Sequence, residues 1–194
     1  MIDLNMKKRH RIFIAINLPQ DIKKMLAKYQ EKWPQLPAKW VPENNLHITT
    51  VFLGDLTDIE LGEVCMTAKE VVVRHAAIDV NLKTIGYGPE GKVPPRMLWA
   101  SGEKSKELSL LKKELEEALL GKVRFVLENK AFALHITLAK ISAFGWRAIE
   151  PEERPELPES IDLLFTVESI EVMESELKKG RPEYTIIESV ELSR

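Results

Sequence analysis

The feature that most constrains this chain is a duplicated motif. Leu46-His47-Ile48-Thr49 recurs as Leu134-His135-Ile136-Thr137, in a sequence with only four histidines. Each copy lies in a short, apolar, β-branched run, the pattern of a buried or half-buried strand. Side chains alternate along a strand, so His47 and Thr49 share one face, as do His135 and Thr137, with each pair roughly 6.6 Å apart along the backbone. Leu46, Ile48, Phe52 and Leu134, Ile136, Leu138 are expected to point the other way, into a core. A single His-x-Thr in a strand is ordinarily a satisfied histidine beside a good strand former. Two copies with matching flanks make a rigid platform for acid/base work on a polar ligand.

A chain of 194 residues forms one compact domain or two small lobes sharing an interface. Its 44% hydrophobic and 30% charged content is that of a soluble globular protein. A net charge of −2 argues against a protein that coats nucleic acid through a broad basic surface. It leaves room for a pocket that takes a nucleotide or the end of an RNA. The single cysteine, Cys65, excludes an internal disulfide and points to a reducing compartment; its place on the apolar face of a predicted helix makes it a core residue. The N-terminus is too polar for a signal peptide and no apolar run approaches membrane-spanning length, so a cytoplasmic protein without membrane contact is expected.

Along the chain, residues 1–10 read as a solvated leader carrying the charge run Lys7-Lys8-Arg9-His10-Arg11. Residues 12–18 are a near-continuous apolar run, hence a central strand buried on both faces. A helix is expected over 20–33, ended by Pro34 and Pro37. A loop over 40–45 then delivers the first motif strand, which Gly54 closes. Thr57 with Glu60 is a capping-box pattern opening a helix over 58–75, with His75 at its C-terminal end in a structural role. A strand over 79–85, a glycine-rich loop over 86–91 and a strand over 96–101 follow. An amphipathic helix over 104–120 buries Leu108, Leu111, Leu115 and Leu119, and the second motif strand spans 131–140. The acidic, proline-rich segment 151–158 is a loop. Two closing strands, over 163–174 and 183–192, flank a turn at 178–182.

Strand, helix, loop and His-x-Thr strand thus occur twice in the same order. From the first strand to the histidine is 35 residues in one copy (12 to 47) and 38 in the other (97 to 135). The fold class implied is α+β, a single bilobal domain over 1–194 whose two pseudo-symmetric lobes each hold an antiparallel-rich sheet with helices outside. An approximate two-fold would set the histidines on opposite walls of a central cleft. Histidine titrates near pH 6.5, so one of a pair can act as base while the other acts as acid, with hydroxyls between them donating to anionic oxygens. That combination suits in-line displacement at phosphorus, with a strained cyclic phosphodiester as target. No cofactor is called for. No carboxylate or cysteine sits at ligand spacing beside either histidine, so no metal site is expected. Trp40, Tyr87, Phe132 and Trp146 are read as packing residues before base-stacking ones, and Arg124, Lys130 and Arg147 as solvated charges.

These residues resemble the 2H phosphoesterase superfamily, and within it the RNA 2′,3′-cyclic phosphodiesterases, also called 2′-5′ RNA ligases. The likeness runs through residues 11–16, through Trp40-Val41-Pro42-Glu43-Asn44-Asn45-Leu46-His47-Ile48-Thr49 with Phe52-Leu53-Gly54, through Gly86 and residues 96–100, and through His135-Ile136-Thr137-Leu138-Ala139-Lys140 and Met173-Glu174-Ser175. It implies a bilobal fold with a cleft and hydrolysis of an RNA 2′,3′-cyclic phosphate end to a 2′-phosphomonoester. His47 would then be the proton donor, His135 the proton acceptor, and Thr49, Thr137 and Lys140 the phosphate-binding residues. The partners implied are RNA ends or oligonucleotides carrying a cyclic phosphate, met by a monomer. The sequence departs from the pattern at Leu134 and Lys140, where relatives commonly carry Pro and Arg; lysine keeps the charge but loses bidentate geometry. Alternatives of other kinds are a phosphodiesterase for small cyclic phosphates or 2′-5′ oligonucleotides, and a nucleotide-binding module without turnover.

Overall fold

A computed structural model describes residues 9–128 and 131–193. The leader, apart from Arg9 and His10, and Lys130 lie outside them. In chain order the elements are β1 (His10–Asn17), α1 (Gln20–Ala27), α2 (Tyr29–Lys32), β2 (Ala38–Trp40), β3 (His47–Leu56), α3 (Asp58–Val72), β4 (Ile78–Gly88), β5 (Met97–Gly102), α4 (Lys106–Leu119), β6 (His135–Ile141), α5 (Ala143–Ala148), β7 (Glu159–Val167), β8 (Ser169–Lys178) and β9 (Arg181–Glu191). A 3-10 turn, Glu43–Asn45, precedes β3.

The strands form two sheets, of order β3-β1-β8-β9 and β2-β6-β5-β4-β7, in which every neighbour pairs antiparallel. The α+β class with two related antiparallel sheets is therefore as expected. The order β3-β1-β8-β9 repeats as β6-β5-β4-β7, which matches motif strand to motif strand. The sheets are not contiguous halves, however. The short strand β2 crosses over to extend the second sheet beside β6, and the C-terminal hairpin β8–β9 completes the first.

The two copies also share an irregularity. On β3 the register passes from Ala15↔Thr49 to Ile14↔Val51, and on β6 from Trp99↔Thr137 to Leu98↔Ala139. Each motif strand thus bulges three residues after its histidine, at Thr50 and Leu138. A bulge inserts one residue and re-aims the side chains beyond it. That corrects one expectation: Phe52 does not join the core but lies 46% exposed on the motif face, the position Lys140 takes on β6.

One continuous core crosses both sheets, holding Ile12, Ile14 and Ile16 of β1, Ile48 of β3, Leu98 of β5 and Ile136 of β6. Phe13, Ala15 and Met173 pack with Tyr184 in a separate small cluster on the opposite face of the first sheet. β1 is therefore buried on both faces, as its near-continuous apolar run requires. α3 and α4 pack on each other and on strands of the first sheet. The capping box is formed: the Glu60 N–H donates to Thr57 Oγ1 (3.3 Å) and the Thr57 N–H to Glu60 Oε2 (2.8 Å). Ser105 caps α4, its Oγ accepting from the Leu108 N–H at 3.0 Å.

Other boundaries differ from the sequence expectation. The first strand begins at His10, which is buried with Nδ1 2.7 Å from Glu174 Oε1 and Nε2 3.0 Å from Asp58 Oδ1, so it belongs to the fold and not to a solvated leader. The expected helix over 20–33 breaks at Lys28 into α1 and α2. The first motif strand passes through a second bulge at Leu53 and runs past Gly54 to Leu56. The second begins at His135, with residues 131–134 outside any strand. The expected single strand over 163–174 is two strands in different sheets, β7 on β4 and β8 on β1, separated at Glu168. α5 has no counterpart in the sequence expectation. The turn between β8 and β9 is Lys179-Gly180, inside the 178–182 segment. Cys65 is half-buried against the core, and burial pushes its thiol pKa up, so the structural reading of that residue stands.

Candidate active site

The sheets meet where β3 approaches β6. A cavity of about 190 Å³ there is lined by His47, Thr49, His135, Thr137 and Lys140, with Val41, Asn45, Met97 and Tyr184. All five site residues expected from the sequence thus face one space. It opens into a neighbouring cavity of about 540 Å³ that shares His47, Thr49, Lys140 and Tyr184 and adds Arg11, Phe13, Lys39, Phe52 and Ser175. On the His135 side lies a third, of about 870 Å³, lined by Trp99, Tyr87, Ser101 and the glycine-rich segment.

Both imidazoles are held in the same way. His47 Nδ1–H donates to the Asn45 carbonyl at 2.7 Å, and His135 Nδ1–H donates to the Ala133 carbonyl at 2.8 Å. A carbonyl only accepts, so Nδ1 carries the proton in each ring and Nε2 is the nitrogen available for chemistry. In neutral His47, Nε2 accepts from the Thr49 hydroxyl at 3.0 Å. The strand spacing that sets the two side chains on one face makes this contact.

Beyond that tether the two sites differ. His47 sits between Phe13 and Tyr184, with ring centroids 5.1 and 5.2 Å away. The turn that supplies its carbonyl is braced: Lys23 donates to Asn17 Oδ1 (2.6 Å) and to the Asn44 carbonyl (3.3 Å), the Asn45 side chain donates to the Pro182 carbonyl (2.8 Å), and Gln20 bonds Glu43. Burial lowers the His47 pKa below the ordinary imidazole value. The Asn45 hydrogen bond opposes the shift, and the positive charge of nearby Lys23 adds to it. His135 instead stacks on Trp99, centroids 4.2 Å apart and tilted by 36°. Trp99 lies flat against Gly88, where a Cβ would meet the indole at 2.3 Å, so only glycine allows this approach.

Sequence reasoning misses Phe13, Tyr184 and Trp99 as neighbours of the histidines. Phe13 and Trp99 sit on the strands paired with the two motifs, so pairing the strands of each repeat would have found them. Tyr184 comes from the distant hairpin and carries no local signal. Trp40, Tyr87 and Phe132 pack partly buried against the core, and Trp146 is buried, as expected; Trp40 also borders a cavity described below. Arg124 and Arg147 are exposed. Among the described residues, no cluster of three or more His, Cys, Asp or Glu is placed to hold a metal ion, and no helix is long and apolar enough to cross a membrane.

Residues 16–99 match the model of the LigT-like phosphoesterase family. An RNA 2′,3′-cyclic phosphodiesterase of Thermus thermophilus is 34% identical over 189 residues, covering 94% of this chain and 90% of that protein. The chain belongs to the LigT-like phosphoesterase family. Its relatives include an RNA 2′,3′-cyclic phosphodiesterase of Geobacillus stearothermophilus, 29% identical over 182 residues. That match takes in 93% of this LigT-like chain but only 56% of the longer relative. A crystal structure of a Thermus thermophilus protein superposes with a TM-score of 0.76 at 30% identity, over 93% of this chain and 97% of that one. The superfamily likeness read from the paired motifs is thereby established.

The neutral state that burial favours at His47 has a consequence in solution. The folded chain prefers the unprotonated imidazole, so the unfolded chain binds more protons below the ordinary value of about 6.5. This group's contribution to stability is therefore present above that pH and is lost as the pH falls below it. Titration of the ring protons by NMR is expected to give His47 a midpoint below that of a model histidine. Inorganic phosphate or a 3′-nucleotide should raise that midpoint, because an anion beside Nε2 favours imidazolium.

Proposed function

We propose that the chain hydrolyses 2′,3′-cyclic phosphate ends of RNA to 2′-phosphomonoesters, using His47 and His135 as acid and base. The observation that carries this reading is the tethering of both imidazoles by Nδ1 to the carbonyl two residues upstream, with both His-x-Thr pairs lining one cavity. The names of the relatives supply the substrate class.

In the proposed reaction, His135 Nε2 takes a proton from water as the water oxygen bonds to phosphorus. The bond from phosphorus to the 3′-oxygen breaks, and His47 gives its Nε2 proton to that oxygen. The product is a 2′-phosphate with a free 3′-hydroxyl, and solvent returns the protons. Each proton transfer contributes about 10²–10⁴-fold. The Thr49 and Thr137 hydroxyls donate to the non-bridging oxygens, and Lys140 adds a positive charge beside them. Thr49 already bonds His47, so turning its hydroxyl to the phosphate releases Nε2 for the leaving oxygen. The low pKa of His47 in the free protein works against a donor role. The bound anion works for it, which ties protonation of His47 to occupancy of the site.

The assay is incubation of an oligoribonucleotide ending in a 2′,3′-cyclic phosphate, with chelator present, followed by phosphorus NMR. A 2′-phosphomonoester is the expected product. A 3′-phosphomonoester, or tight binding without turnover, would sink this reading and favour different chemistry or a binding module.

A further inference from the structure

The cavity that holds the two motif pairs continues past Lys140 along the β2–β6 edge. Lys39 of β2 and Lys140 of β6 are direct cross-strand partners, and both are exposed. Side chains at such positions lie on one face with Cβ atoms roughly 5 Å apart, and like charges there repel. Among the described residues neither lysine forms an ion pair. Among the described residues, the three adjoining cavities that Lys140 borders are lined by Arg11, Lys39, Lys140 and Arg181 and by no Asp or Glu. That is a marked local excess in a chain with 30 acidic and 28 basic residues. Two facing, uncompensated lysines are relieved by an anion between them.

Their placement says which anion. Lys140 borders the cavity of the two His-x-Thr pairs, whereas Lys39 does not; Lys39 borders the two spaces that adjoin it, one of which also takes in His47 and Thr49 while the other holds neither motif. One of these, of about 420 Å³, is walled by Trp40, Pro42, Arg181 and Tyr184 and falls in the size range of ligand pockets.

We propose that Lys39 binds the phosphodiester one nucleotide upstream of the reacting end, so that the site selects an RNA strand over a cyclic mononucleotide. This rests on the reading of the motif pairs as the reacting centre. Lys140 stands at the junction, between the reacting phosphate and the next one. The strand then leaves over the β2–β6 edge, and its penultimate nucleoside occupies the space beside Trp40.

The test compares kcat/KM for a dinucleotide ending in a 2′,3′-cyclic phosphate with that for a nucleoside 2′,3′-cyclic phosphate. Wild type is expected to prefer the dinucleotide. Lys39→Ala and Lys39→Gln should each lower that preference about tenfold, through KM, while Lys39→Arg keeps it. The salt dependence for the dinucleotide should become shallower by about 0.7 in log–log slope, the value for one phosphate contact on a single strand. An unchanged preference in a folded Lys39→Ala protein overturns the proposal. So does an equal loss on both substrates, which would put Lys39 at the reacting phosphate. Turnover of neither substrate by wild type overturns the hydrolase reading beneath it instead.

Discussion

Replacing either His47 or His135 with alanine is expected to lower kcat on a cyclic-phosphate RNA end by about 10²–10⁴-fold, with the fold retained. Both side chains lie on the cavity face of their strands, while the core contacts of β3 and β6 come from Ile48 and Ile136 on the other face. Removing an imidazole therefore takes away a proton relay without opening the core. Among the described residues His135 stacks on Trp99 alone, whereas two rings flank His47, so the alanine variant of His135 is the cleaner of the two. His47→Gln serves as a second variant, since it refills much of the space between Phe13 and Tyr184. If the two histidines act in one step, the double variant should lose little more than either single one, because groups that act as a unit are not additive. Circular dichroism and a thermal melt report the fold, and initial rates with chelator present report the chemistry. Retention of wild-type turnover by either alanine variant would remove that residue from the mechanism.

A large effect of the opposite kind is expected one residue further along. Ile48 and Ile136 occupy equivalent places behind the two motifs and are fully buried. Truncating either to alanine leaves a cavity and costs about 2–5 kcal/mol. For a chain of this size that lowers Tm by roughly 5–15 °C. Because one core crosses both sheets, Ile48→Ala and Ile136→Ala should each lower the same single transition. Activity per folded molecule should survive, which sets these variants apart from the histidine ones. Two separable transitions, with each variant moving only one, would show lobes that fold independently and would contradict the continuous core.

What is legible in the sequence is local. The Thr57–Glu60 capping box, the leucine stripe of α4 and the alternation around both His-x-Thr pairs are short-range signals, and each appears where those signals place it. The duplication carries further, because matching strand to strand also matches sheet to sheet. The failures are long-range. Nothing around Glu168 marks it as the crossing between two sheets, since no glycine or proline interrupts the strand-forming residues on either side. The pairing of β2 with β6, which sets Lys39 opposite Lys140, joins residues about a hundred positions apart. The bulges at Thr50 and Leu138 add one residue to a period of two, so simple alternation puts Phe52 on the wrong face. His10 reads as part of a charge run until Glu174 and Asp58 close around it.

The division of labour between the histidines is tested most directly by a substrate whose leaving atom needs no proton. In a 2′,3′-cyclic phosphorothiolate, sulfur replaces the bridging 3′-oxygen, and a thiolate departs without general acid help. The measurement is the rate of His47→Ala and His135→Ala on this substrate, each relative to wild type. The proposed mechanism predicts that sulfur restores His47→Ala close to the wild-type rate and leaves His135→Ala impaired, since water must still be activated. Restoration of His135→Ala, with His47→Ala still impaired, would reverse the assignment of acid and base.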